Sequence, residues 1–84
     1  MHPLFTILIF RCLNANRTHT AALLIPNTYF PFFAALVYHI NLALLKRKYR
    51  MLLCSTDYDP GLEQEYVAMA QQNKVDGIIG LTYN

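Results

Sequence analysis

Three compact apolar runs, each bounded by polar or turn-forming residues and separated by stretches of helical spacing, constrain this chain more than any other feature. They are THTAALLIP at 18–26, RMLLCSTD at 50–57 and IIGL at 78–81. Short apolar runs of this kind read as strands covered on both faces, the setting of a parallel sheet. After the first run, Pro31 suits the opening turn of a helix, where its missing N–H costs nothing. Phe33, Leu36, Val37, Ile40, Ala43 and Leu44 then recur on one face, and the helix runs to about Lys48 with cations at the negative end of its dipole. Asp59 followed by Pro60 marks a second start, with Glu63 and Glu65 near the positive end and a stripe of Leu62, Tyr66, Met69 and Ala70 reaching toward Asn73. The order strand, helix, strand, helix, strand predicts an α/β fold, a partial doubly wound parallel sheet with right-handed crossovers. Ligands of such sheets sit beyond the carboxyl ends of the strands, here Pro26 to Phe33, Ser55 to Asp59 and Leu81 to Asn84.

Composition narrows the function classes. At 84 residues and 55% apolar, the chain holds one small domain at most and carries more apolar surface than such a domain can cover alone. The net charge of +2 comes mostly from KRKYR at 46–50, so nucleic-acid binding has to be argued from specific residues. Cys12 and Cys54 lack metal spacing, and Cys54 reads as a buried thiol. MHPLFTILIF lacks the charged start and small-residue cleavage site of a signal peptide. Residues 29–45 form an apolar run followed by Lys46, Arg47 and Lys48, the pattern of a short membrane span; its length, His39, Asn41 and an early proline argue against one. Asp57 and Asp59 have no convergent histidine or glutamate, and Asp59 has work as a cap, so no catalytic group, metal site or cofactor is expected. His2, His19 and His39 share no spacing. Taken from spacing alone, Phe32 and Phe33 read as core residues at a helix start.

The Arg-Thr linker ending at Thr18, the strand AALLIP, the helix start PFF, the strand and turn LLCSTDYDP, the helix EQEYVAMA and the closing KVDGIIGL occur in order. From about residue 11 to 84 this series resembles the start of the effector-binding domain of the LacI/GalR family of bacterial transcription regulators. The resemblance implies a cytoplasmic, homodimeric, non-enzymatic regulator with a DNA-reading helix-turn-helix, a hinge helix and a two-lobed core like that of periplasmic sugar-binding proteins. A small effector, in the family usually a sugar or a nucleobase and for this chain expected to be a carbohydrate, is implied between the lobes. By position, the resemblance assigns Asn27, Thr28, Phe32, Phe33, Asp57 and Tyr58 to the effector cleft, with Phe32 stacking on a ring and Phe33 shared between core and pocket. It assigns Leu13, in RCL, to the hinge leucine that enters the DNA minor groove.

The chain departs from the family pattern in several places. MHPLFTILIF does not carry the expected pattern before Arg11, so operator DNA binding is expected of a full-length parent only. Residues 1–17 are expected to be a remnant of the hinge and linker, poorly ordered or irregular, and 18–84 a partial effector-binding lobe from a truncated or frameshifted gene product. Lys48 stands where the family often has glycine, which is expected to leave the first helix without its left-handed cap. Two rival readings are a sugar-binding protein of a transport system and a small single-span membrane protein using residues 29–45.

Overall fold

The computed structural model describes residues 5–11 and 17–83, with side chains considered over 17–81. Six elements follow in order: β1 (Phe5–Arg11), β2 (Thr20–Ile25), α1 (Pro31–Lys46), β3 (Arg50–Ser55), α2 (Pro60–Gln72) and β4 (Gly77–Tyr83). They form one sheet in the order β1-β4-β2-β3. β2 pairs in parallel with β3 on one side and with β4 on the other, which is the parallel α/β arrangement that the alternating pattern predicts.

β2 is central because it is the most continuously apolar strand, and all of Ala21–Ile25 is buried. Its alternation divides the core. Ala22 and Leu24 join Cys54, Ala70, Val75 and Ile78 under α2. Leu23 and Ile25 join Phe33 and Leu81 under α1, where Leu36, Val37 and Ile40 pack against them. The helical stripe read from the sequence is therefore the packed face, except that Ala43 is exposed.

Three local expectations change. Residues 5–11 are not irregular: the backbone of β1 runs antiparallel to β4 from Phe5↔Tyr83 to Arg11↔Gly77. The stretch FTILIFR is rich in strand-forming residues, and the second edge of β4 offers an unpaired ladder. Nor does α1 lack its cap. Lys48 takes the left-handed conformation itself (φ 61°), its N–H bonding the carbonyl of Leu45 at 2.9 Å and that of Tyr49 the carbonyl of Leu44 at 2.8 Å. α1 also ends at Lys46, two residues before the expected Lys48, because that turn closes it.

Candidate functional site

The carboxyl ends of β2 and β3 are stitched together before either helix begins. The N–H groups of Thr56 and Asp57 bond the carbonyls of Ile25 and Pro26 at 2.8 and 2.7 Å. The hydroxyls of Ser55 and Thr56 donate to the carbonyls of Pro26 and Ile25, both at 3.2 Å. These bonds prolong the parallel ladder past the strands and bring the 26–30 loop beside the 56–59 loop.

Asn27 shapes the first loop. Its Oδ1 accepts from the backbone N–H groups of Tyr29 (3.2 Å) and Phe30 (3.1 Å), an Asx-type turn that delivers the chain to Pro31. The side chain is buried, and those two bonds fix its orientation so that Nδ2 faces the other way. That Nδ2 is buried with no hydrogen-bond partner. A buried amide donor left unpaired is costly, about 1–3 kcal/mol.

On the same edge of the sheet stand aromatic rings that the core does not use. Phe32 is 61% exposed, Tyr29 73% and Tyr58 46%. Phe33, one residue on, is buried, with the Phe32 ring set edge-on to it at 5.4 Å between centroids. Consecutive residues on a helix project about 100° apart, so Pro31 at the first position sends one phenyl ring into the core and leaves the other outside. Phe30 bridges the set, 4.8 Å from Tyr29 and 6.2 Å from Phe33. The exposed Thr28 lies between the turn-forming Asn27 and these rings.

The second loop is held by backbone geometry. Asp57 and Tyr58 both adopt positive φ (51° and 58°), and the N–H of Asp59 returns to the carbonyl of Thr56 at 2.9 Å. Asp59 then caps α2, its Oδ1 accepting from Gly61 (2.9 Å) and Leu62 (3.3 Å). Asp57 is exposed and free of that duty. The two helices thus differ at this edge: α2 carries a carboxylate cap and Glu63 in its first turn, whereas α1 has neither a side-chain cap nor an acid.

Of the residues implied by resemblance, Asn27, Thr28, Phe32, Asp57 and Tyr58 lie on the two stitched loops and the first turn of α1, while Phe33 lies beneath them in the core. Leu13 lies outside the described residues, as does Cys12. Cys54 is buried and free, and burial pushes its thiol pKa up. Sequence reasoning missed the unpaired Asn27 amide and the exposed Tyr29; the asparagine before a proline-bounded aromatic stretch was the available sign, but its unpaired donor is visible only once the turn is built. Among the described residues no histidine, cysteine or carboxylate group gathers to hold a metal ion, and no helix is long and apolar enough to cross a membrane.

Comparison with known proteins places the sequence. Over 70 residues the chain is 41% identical to the HTH-type transcriptional regulator DegA of Bacillus subtilis, a match covering 83% of this chain and 21% of DegA. Over this stretch the chain is LacI/GalR-family sequence. The same family includes the sucrose operon repressor of Pediococcus pentosaceus, 34% identical over 74 residues, covering 88% of this chain and 23% of the repressor. It also includes the repressor PurR of Aliivibrio fischeri, 28% identical over 71 residues, covering 84% of this chain and 21% of PurR. The chain therefore spans about a fifth of the length of the LacI/GalR relatives it matches. No family model matches it, and no solved structure matches it.

Proposed function

We propose that this chain is the first part of the effector-binding core of a LacI-type transcriptional regulator, that its effector is a small carbohydrate, and that the parent acts as a cytoplasmic homodimer on operator DNA. The observation that carries the effector reading is the pairing of an unpartnered, buried Asn27 Nδ2 with the exposed ring of Phe32 on one edge of the sheet. Carbohydrates are bound by that combination: a ring face stacks on the apolar CH surface of the sugar, and fixed polar groups pair with its hydroxyls. Tyr29 and Tyr58 extend the aromatic surface, and Asp57 supplies an exposed acceptor. Two relatives named as sucrose operon repressors support a sugar as the effector.

Mechanistically, the half-site becomes a clamp when a second lobe closes over it. A sugar that contacts both lobes favours the closed arrangement by its differential affinity, and the shift in lobe geometry alters the spacing of the DNA-reading segments. The residues of this chain supply the stacking floor and one amide donor; chemistry is not required of any of them, which suits a non-enzymatic role. The dimer reading rests on α1. Ala35, Tyr38, Leu42 and Leu45 form a second, exposed apolar stripe opposite its core face, and an exposed stripe of this length calls for a partner surface.

The test is a chimera. The matched 74 residues replace their counterparts in the Pediococcus sucrose operon repressor, and expression from that operon's promoter is followed with a reporter. Repression in the absence of sugar, relieved on sugar addition and no longer relieved in the Phe32→Ala chimera, is the expected result. A chimera that accumulates normally but neither represses nor responds contradicts the proposal.

A further inference from the structure

The net charge of +2 conceals a separation of charge along the strand direction. Arg17, Lys46, Arg47, Lys48, Arg50 and Lys74 are exposed and lie at the amino edge of the parallel strands: on the approach to β2, at the ends of α1 and α2, and at the first residue of β3. Arg11, the remaining cationic residue, pairs with Gly77 at the start of β4, so its backbone lies at that edge too. Four of the five acids, Asp57, Asp59, Glu63 and Glu65, lie at the opposite edge or in the first turns of α2. Asp76 is the acid at the amino edge, and its carboxylate is occupied by the N–H groups of Thr18 and His19 and by the Tyr49 hydroxyl.

Both helices end on this edge in the same way. Lys48 and Lys74 take the left-handed position after α1 and α2 (φ 61° and 57°), a conformation that favours glycine. A lysine there gains from the helix dipole, as do Lys46 and Arg47 at the end of α1, but that gain does not account for Arg50 at the start of β3 or Arg17 before β2. Thr18, His19, Thr20, Lys48 and Arg50 line a shallow open depression. It is not built for a single small anion: the Thr18 and Thr20 hydroxyls already donate to the carbonyls of Lys74 and Thr18, and the Thr18 hydroxyl also lies 3.3 Å from the Asp76 carboxylate. Neighbouring strands lie about 4.8 Å apart, so cations spread from the end of α1 and the start of β3 to the approach to β2 match a polymer of repeated phosphates. Of the exposed large apolar side chains among the described residues, Leu45 and Leu42 lie within a turn of these cations, while the rings of Tyr29, Phe30, Phe32 and Tyr58 are at the other edge and that of Tyr38 is midway along α1.

We propose that the amino edge of this lobe itself binds the phosphate backbone of double-stranded DNA, without reading sequence. The proposal builds on the regulator reading but assigns the contact to the α/β lobe rather than to a separate DNA-reading segment. The full chain is titrated into a fluorescein-labelled duplex of arbitrary sequence and followed by anisotropy. Binding in the micromolar range is expected, weakening about 40-fold between 50 and 200 mM salt if roughly three phosphates are neutralised. Lys48→Gly is expected to weaken binding about 5-fold, a typical loss for one phosphate contact, while raising the melting temperature; Arg50→Gln is expected to weaken it similarly, and Glu65→Gln to leave it unchanged. Absence of salt-dependent binding, unchanged affinity in well-folded Lys48→Gly and Arg50→Gln, or binding confined to vesicles of phosphatidylcholine and phosphatidylserine overturns the proposal. The sugar chimera is scored independently, so its failure alongside salt-dependent DNA binding here counts against the sugar-responsive regulator and not against this surface.

Discussion

Asp76 is the residue on which the approach to the sheet depends. It accepts from Thr18 N–H at 3.0 Å, His19 N–H at 3.1 Å and Tyr49 Oη at 2.8 Å, and so ties the 17–19 segment and the turn after α1 to the start of β4. The Thr18 N–H, followed by the Tyr49 hydroxyl and His19 N–H, holds its pKa down to about 2. An acid with a lowered folded-state pKa stabilises the fold above its unfolded pKa, near 4, and that stability is lost as pH falls through the folded value. Melting followed by circular dichroism should therefore show a stability loss between about pH 4 and pH 2 that is smaller in Asp76→Asn, which is less stable at neutral pH. Phe32 and Phe33 make a sharper pair, because adjacent rings have opposite duties. Phe33→Ala should cost about 3–5 kcal/mol, the usual range for a buried phenylalanine, and unfold much of the chain. Phe32→Ala should change stability by less than about 0.5 kcal/mol while removing the stacking surface for a sugar.

At the scale of elements, caps decide where α1 and α2 begin and end. Removing the α2 cap with Asp59→Ala should cost about 1 kcal/mol, read as a lower urea midpoint with an unchanged slope. Lys48→Gly should gain about 0.5–1 kcal/mol by relieving the left-handed strain after α1, opposite in sign to most substitutions in a helix-ending turn. The strands and helices were legible because their periodicities are clean: AALLI is too continuously apolar for a half-exposed strand, and Asp59-Pro60 can hardly start anything but a helix. β1 was not legible, since FTILIFR has the makings of a strand but its partner, the free side of β4, exists only after the parallel core has formed. The left-handed Lys48 was missed for a related reason: residue preference argues for glycine, and the closing bonds from Lys48 and Tyr49 outweigh it. The loop positions of Asn27 and Asp57 followed from strand order, whereas the unpaired amide depended on a turn geometry that no spacing encodes.

As a whole, the molecule is a sheet with two helices, an exposed apolar stripe on α1 and opposite charges at its two ends. Two cores this small, whose largest fully buried side chains among the described residues are Leu23, Ile25 and Val75, leave little stability to spare and leave Tyr38, Leu42 and Leu45 facing out. The chain is therefore expected to self-associate: sedimentation at micromolar concentration should show dimers or larger species, and Leu42→Lys with Leu45→Lys should shift them toward monomer. A monodisperse monomer with cooperative melting contradicts the reading of α1 as a partner surface. The placement of the effector at the carboxyl edge can be examined without the second lobe. The decisive measurement is a nitrogen-15 NMR titration of the chain with mono- and disaccharides, watching the side-chain amide of Asn27. The account predicts, for at least one sugar, a saturable shift of that resonance together with the backbone signals of residues 28–33 and 57–58, lost in Phe32→Ala. Shifts confined to the amino edge, or a response at Asn27 that survives Phe32→Ala unchanged, would contradict it.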